Sequence, residues 1–289
     1  ASTIFTATRQ NVCNLIAMTL FGMTGIGVGL YLVSALLIYL SGGITLLKAR
    51  PISYALPALV VIAGGFALIA LDTSRPLRGL LAVKNLNRSW LSRELLALLV
   101  LLISVMIDLL FGSFFARVVS IAAAALMLIC QGAIVYQAKS IPAWHTLTVI
   151  PVYFASGLST GYACLVLLDY VYGQFRTSVF IPTGIGIIVV NLFIYLAYLF
   201  FRRDAALKKT TRNLRNWFFP PIALGVGFVI PLFFLLSRYL NHFDIPEPIA
   251  MAVASMTMLF GGLSQKYNII RKAGYTHEIA FVFGRRGSQ

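Results

Sequence analysis

Eight apolar runs, each long enough to cross a lipid bilayer, dominate the chain at about 12–40, 52–71, 94–112, 118–138, 147–172, 179–201, 217–240 and 249–270. A spanning helix needs roughly 20 mainly apolar residues, and the connections here are too short to fold a soluble domain of any size. Hydrocarbon offers no partner to backbone N–H and C=O groups, so such runs must close their hydrogen bonds internally. The runs contain Pro57, Pro151, Pro182 and Pro231 without strand alternation, and their lengths suit helices. The chain is therefore expected to fold as an all-α integral membrane bundle of eight transmembrane helices, one membrane domain over residues 1–289. With 60% hydrophobic and 11% charged residues it lies far from a soluble globular balance. The first run is too long for a cleaved signal peptide and lacks its flanking pattern.

A net charge of +15 becomes informative once it is divided between the two faces of the membrane. One face would hold the N-terminus, the connections near 72–93, 139–146 and 202–216, and the C-terminal tail. It carries 18 Lys and Arg residues, including Arg75, Arg78, Lys84, Arg88 and Arg93 before helix 3, six in RRDAALKKTTRNLRN, and Lys266, Arg271 and Lys272 near the end. The other face carries five: Lys48, Arg50, Arg117, Arg176 and Arg238. Positive loops stay in the cytoplasm, so both termini are expected there, in a bacterial inner membrane. Anionic lipid headgroups offer a second account of the same charge. The two long basic loops are four helices apart, the pattern that two parallel four-helix halves would produce. Gly22, Gly25 and Gly29, with Gly157 and Gly161, are read as sites of close helix contact.

Catalytic chemistry is sparse. His145, His242 and His277 are the three histidines, and no two of them are placed to clasp a haem within the bilayer. Cys13, Cys130 and Cys164 have no paired spacing and read as small buried hydrophobes. There is no glycine-rich phosphate loop and no Ser, His, Asp set at useful spacing, so no catalytic residue or metal site is assigned. The remaining signal is ionisable groups at helix ends, because charge inside a bilayer is costly and tends to be functional. On the basic face these are Asp72, Glu94 and His145. For Glu94 the plain alternative is a carboxylate in the first turn of helix 3, held by the helix dipole; for Asp72 it is a pair with Arg75. On the other face Asp108, Asp169 and Arg238 read as structural ion-pair partners, with Arg117 and Arg176 in reach.

Four short motifs carry a resemblance. L-D-T-S-R-P-L-R closes helix 2, N-L-N-R-S-W-L-S-R-E opens helix 3, V-Y-Q-A-K-S-I-P-A-W-H-T precedes helix 5 and G-G-L-S-Q-K-Y-N-I-I-R-K-A-G-Y closes helix 8. Together with the helix number and loop placement, they resemble the membrane-anchor subunits of the dimethyl sulfoxide reductase family and, more distantly, that of polysulfide reductase. The resemblance implies a haem-free anchor for a molybdopterin catalytic subunit and an iron-sulfur subunit, exchanging electrons with a quinone, ubiquinone or menaquinone. It places the quinone pocket at Asp72, Arg75, Arg78, Glu94, Tyr136, Trp144 and His145, with Asn14 a further candidate, and partner docking at Lys84, Arg88 and Arg93. One position departs from the family pattern: Asp72 stands where related anchors often have His.

A quinone needs an apolar slot, hydrogen-bond partners at its two oxygens and a proton donor or acceptor within reach. Trp144 and Tyr136 are expected to wall the slot, His145 to bond one oxygen, and Asp72 or Glu94 to move protons. Arg75 or Arg78 would stabilise negative charge on a ring oxygen or grip the partner. Because the charge bias puts the docking loop in the cytoplasm, the chain looks most like the membrane subunit of cytoplasmic sulfite dehydrogenase, passing electrons from sulfite to quinone. An exported reductase of the dimethyl sulfoxide, polysulfide or thiosulfate type, whose anchor oxidises quinol, is the alternative. From another class, a small-solute transporter fits the helix count, but most ionisable residues lie at helix ends and not at the bilayer midplane.

Overall fold

Helices occupy all eight apolar runs in the computed structural model, which describes residues 5–9, 15–40, 52–72, 86, 89–139, 141, 143–172, 179–200, 224–240, 246–272 and 275–279. They are α1 (Leu15–Leu40), α2 (Ile52–Asp72), α3 (Trp90–Phe111), α4 (Phe114–Tyr136), α5 (Val149–Tyr172), α6 (Phe180–Phe200), α7 (Ile230–Leu240) and α8 (Glu247–Tyr267). A π turn, Gly225–Val229, leads into α7, and a second, Asn268–Lys272, leads out of α8. Among the described residues six helices are long and apolar enough to cross a bilayer, while α2 and the α7 region contribute the shorter apolar stretches Tyr54–Ala67 and Gly225–Leu240.

Local chemistry sets several of these boundaries. Ser89 caps α3 by accepting the Ser92 N–H, so the helix starts at Trp90, a turn earlier than hydropathy places it. Glu94 is consequently not in the first turn, and the dipole account of it fails. At the other end Gly112, at φ 62°, takes the left-handed conformation and donates its N–H to the Asp108 carbonyl. Ser113 then caps α4 through the Ala116 N–H, so α3 and α4 form a tight hairpin. Phe111, Phe114 and Phe115 around that turn are 78%, 73% and 76% exposed, which suits a lipid-facing tip. Pro151 and Pro182 sit in the first turns of α5 and α6, where no N–H is needed, and Pro231 directly follows the π turn that accommodates it.

The expected halves are present in the packing. Helix α1 packs on α2 as α5 packs on α6, α3 on α4 as α7 on α8, α1 on α4 as α5 on α8, and α4 on α5 as α8 on α1. Helices α1 and α5 meet at the centre through Gly25-x-x-x-Gly29 and Gly157-x-x-x-Gly161. A methyl group on Gly29 would overlap the Gly157 carbonyl, and one on Gly161 would overlap Gly29, so these glycines are required by the helix spacing. Outside the bundle, residues Phe5–Arg9 and Tyr275–Ile279 pair as a short antiparallel ladder, with Thr6 opposite Glu278 and Arg9 opposite Tyr275. This ladder is an addition to the all-helical expectation. It brings the two ends of the chain together on one face, the same face as the α2–α3 connection, here called the loop face.

Candidate functional site

Five helices bring polar side chains into the apolar interior near the loop face. From α3, Glu94 is fully buried, and neither of its carboxylate oxygens has a hydrogen-bond partner. From α4, Gln131 lies beside it and donates through Nε2 to Thr24 Oγ1 of α1 at 2.7 Å, while its own Oε1 is unmatched. Thr24 donates its hydroxyl hydrogen bond to the Leu20 carbonyl. From α8, Lys266 is only 3% exposed and donates Nζ to the Phe21 carbonyl of α1 at 2.8 Å. Its Nζ also lies 5.8 Å from the centre of the Tyr153 ring of α5. Gly25 makes the room: a Cβ there would collide with the Lys266 amine.

Burying polar groups costs free energy unless they are bonded, and burying charge costs more. Native interiors leave few polar atoms unmatched. Neither the Glu94 oxygens nor Gln131 Oε1 has a partner of good geometry, and the Gln131 amide lies against the Glu94 carboxylate, so this position has spare capacity for a donor.

A second cluster lies nearer the membrane surface. Tyr136 and His145 stack with ring centres 4.7 Å apart and planes 18° from parallel. His145 Nδ1 donates to the Tyr136 carbonyl at 3.0 Å, which in the neutral ring leaves Nε2 to accept. His145 is exposed and Tyr136 half-buried. Tyr136 follows Gln131 by five residues on α4, about 7.5 Å along the axis, so the stack sits about a turn and a half outward from the Glu94 level.

The remaining sequence candidates divide. Trp144 is buried and donates Nε1 to the Ile269 carbonyl in the π turn after α8 at 2.7 Å, which ties the segment before α5 to the end of α8. Arg93 is folded back on its own segment, with Nε donating to the Leu86 carbonyl at 2.9 Å and the guanidinium 4.2 Å from the centre of the Trp90 ring. Asp72 ends α2 on the loop face, but its side chain lies outside the described residues, as do Asn14, Arg75, Arg78, Lys84 and Arg88. Lys266 corrects the charge count: it does not belong to a surface loop but points into the bundle. Its position in an otherwise apolar helix was the available signal. Gln131 was missed because one glutamine in an apolar run has no spacing signature.

On the opposite face, Asp108 takes both bonds of a bidentate pair with Arg117, each 2.9 Å. Tyr31 and Ser120 share a hydrogen bond nearby. Arg238 pairs with Glu247 at 2.8 Å. The ion-pair reading of Asp108 and Arg238 holds. Cys130 is buried and Cys164 half-buried against the core, as expected of small hydrophobes.

A protein-family model for the DMSO reductase anchor subunit (DmsC) matches residues 10–183, more than half of the chain. The chain belongs to the DMSO reductase anchor subunit family. No curated protein matches it in a sequence comparison. The match covers α1 to α5 and the first turn of α6, and so contains Glu94, Gln131, Tyr136 and His145 of this DmsC-family anchor. Lys266 lies beyond it. Membership makes the chain a multi-pass membrane anchor subunit of a DMSO reductase-type complex.

Proposed function

We propose that the chain is the haem-free, quinone-reactive anchor of a molybdopterin and iron-sulfur oxidoreductase, and that it passes electrons from sulfite oxidation to the quinone pool on the cytoplasmic side of a bacterial inner membrane. The observation that carries the quinone reading is the stepped arrangement on the loop face: an exposed His145–Tyr136 stack above a fully buried Glu94 with both oxygens unmatched. A quinone head group offers what this arrangement lacks, a flat ring with an oxygen at each end that gains a hydroxyl proton on reduction. When bound it would supply two-electron, two-proton chemistry. His145 Nε2 is suited to bond the outer oxygen, Tyr136 to pack on the ring, and Glu94 to hold or release the proton of the inner oxygen, with Gln131 Oε1 as a further acceptor. Asp72, with Arg75 and Arg78, would complete the mouth, with Asn14 a further contributor. Lys84 and Arg88 on the same loop would grip the iron-sulfur subunit.

The cytoplasmic orientation rests on the charge asymmetry, 18 basic residues against five, and this favours sulfite oxidation over an exported reductase. Lys266 is removed from the loop count by its burial, and the asymmetry survives at 17 (18 minus this one) against five. A reporter enzyme fused after Gln289 is expected to read cytoplasmic; a periplasmic signal overturns the sulfite assignment and favours the exported reductase. Purification is expected to recover a molybdopterin subunit and an iron-sulfur subunit, and solute transport by the chain alone would refute the anchor reading. In the assembled complex, Asp72→Asn and His145→Ala are expected to impair quinone turnover while dye-linked activity of the partners is kept. Unchanged quinone kinetics in both variants would rule out this pocket.

A further inference from the structure

Two side chains of the stepped pocket have their hydrogen-bonding sense fixed by the backbone. A carbonyl can only accept, so Thr24, whose Oγ1 lies 2.7 Å from the Leu20 carbonyl, must give its hydroxyl proton to that bond. Thr24 Oγ1 is then left as an acceptor, and the Gln131 amide must meet it with Nε2, as it does at 2.7 Å. Turning the amide over would set two acceptors against each other. Gln131 therefore holds its oxygen on the other side, buried, bordering Gly25 and without a partner. At the outer step the Tyr136 carbonyl imposes the same logic. It accepts from His145 Nδ1 at 3.0 Å, so in the neutral ring the proton sits on Nδ1 and Nε2 carries the lone pair. The two levels are about 7.5 Å apart along α4, a step that a six-membered ring with an oxygen at each end can bridge.

We propose that the pocket reads the oxidation state of its ligand: Gln131 Oε1, locked by Thr24, and His145 Nε2, set by the Tyr136 carbonyl, are acceptors that bind a hydroquinone in preference to the corresponding quinone. This rests on reading the pocket as the quinone site. A quinone oxygen only accepts and leaves a buried acceptor unpaired, whereas a hydroquinone hydroxyl donates to it. Sites built around a buried polar group reject the analogue that lacks its partner. An ionised Glu94 adds a third acceptor in the same sense. Thr24 touches no ligand; it is a positioning residue that acts through Gln131. Tighter binding of the reduced form favours reduction of the bound ring and slows its release.

The test uses the assembled complex, kept anaerobic, and measures equilibrium dissociation constants for a decyl-tailed benzoquinone and a short-tailed naphthoquinone, each against its own hydroquinone. The hydroquinone is expected to bind roughly tenfold tighter or more, the size of two such bonds. Gln131→Leu and Thr24→Val are expected to cut that preference by roughly threefold to tenfold, the first by loss of the acceptor and the second by release of its orientation. Thr24→Ser keeps the hydroxyl and is expected to keep the preference. Dye-linked activity of the partners is expected in every variant and shows that the complex has assembled. Equal affinity for the two forms in the unaltered complex would overturn the proposal. So would a parallel loss of both forms in Gln131→Leu and Thr24→Val with the ratio unchanged, the result expected if the Lys266 amine, which borders the same glycine, is what meets Gln131 Oε1. Affinities that move in none of Gln131→Leu, Glu94→Gln and His145→Ala, or no binding of either form, would instead remove the quinone reading of the pocket.

Discussion

Helix α3 carries a carboxylate near each end, and the two are built in opposite ways. Asp108, toward the far face, is matched oxygen for oxygen by the Arg117 fork. Glu94, toward the loop face, has no such fork: no ion pair reaches it among the described residues, and Lys266 gives its hydrogen bond to a backbone carbonyl. Both side chains are buried, so exposure does not separate them; hydrogen-bond satisfaction does. A bidentate pair within a hairpin recovers the cost of its own burial and fastens α3 to α4. A buried carboxylate in the same helix without such a fork recovers less from the fold, which is how a group kept for a proton or a ligand differs from one kept for stability.

Charge-neutral substitution at each site is the sharpest way to break that comparison. Glu94→Gln is expected to lower quinone turnover about a hundredfold or more, the scale of a lost general acid or base, with thermal stability of the complex held. Asp108→Asn is expected to do the reverse. Leaving the partly buried Arg117 without its partner is expected to cost about 2 kcal/mol, visible as faster thermal inactivation, while the quinone KM stays unchanged. A quinone defect in Asp108→Asn, or a stability loss without a quinone defect in Glu94→Gln, would erase the distinction. Trp144 falls between the two. Trp144→Phe keeps the ring but strips the Nε1 donor from the Ile269 carbonyl, an expected loss of about 1–2 kcal/mol in stability. Because phenylalanine keeps an aromatic ring in place, quinone affinity is expected to move little.

How much of this was legible in the sequence follows from the range over which each signal acts. Hydropathy is summed over some twenty residues, so eight helices and their positions came through well, and the G-x-x-x-G spacing marked the α1–α5 crossing. Boundaries depended on single caps: Ser89 moved the start of α3 and took Glu94 out of the first turn. The Asp108–Arg117 pair was readable because its members are nine residues apart across a tight turn. Lys266 meets Phe21 across a separation of 245 residues, and no periodicity reaches that far. Counted by position alone, it passed for a surface charge. The Trp144 bond was hidden for a related reason, since its partner is a backbone carbonyl, which every residue has and no sequence pattern marks. Glu94 was legible as an oddity, a carboxylate near an apolar run, but its lack of partners is a property of the packed state.

Arg238 and Glu247 provide the low end of the scale. They join the end of α7 to the start of α8 on the far face at 2.8 Å, a separation as short as that of the buried pair, but their side chains are 34% and 37% exposed. Water and headgroups can replace either partner, and holding two long side chains in one geometry costs entropy. Arg238→Gln is therefore expected to change stability by less than about 1 kcal/mol and to leave quinone turnover alone. Measured beside Asp108→Asn in the same thermal-inactivation assay, it separates contact distance from burial as the source of stability. If the two substitutions cost the same, burial is not what makes the Asp108 pair a staple, and the contrast with Glu94 must then rest on hydrogen bonding alone.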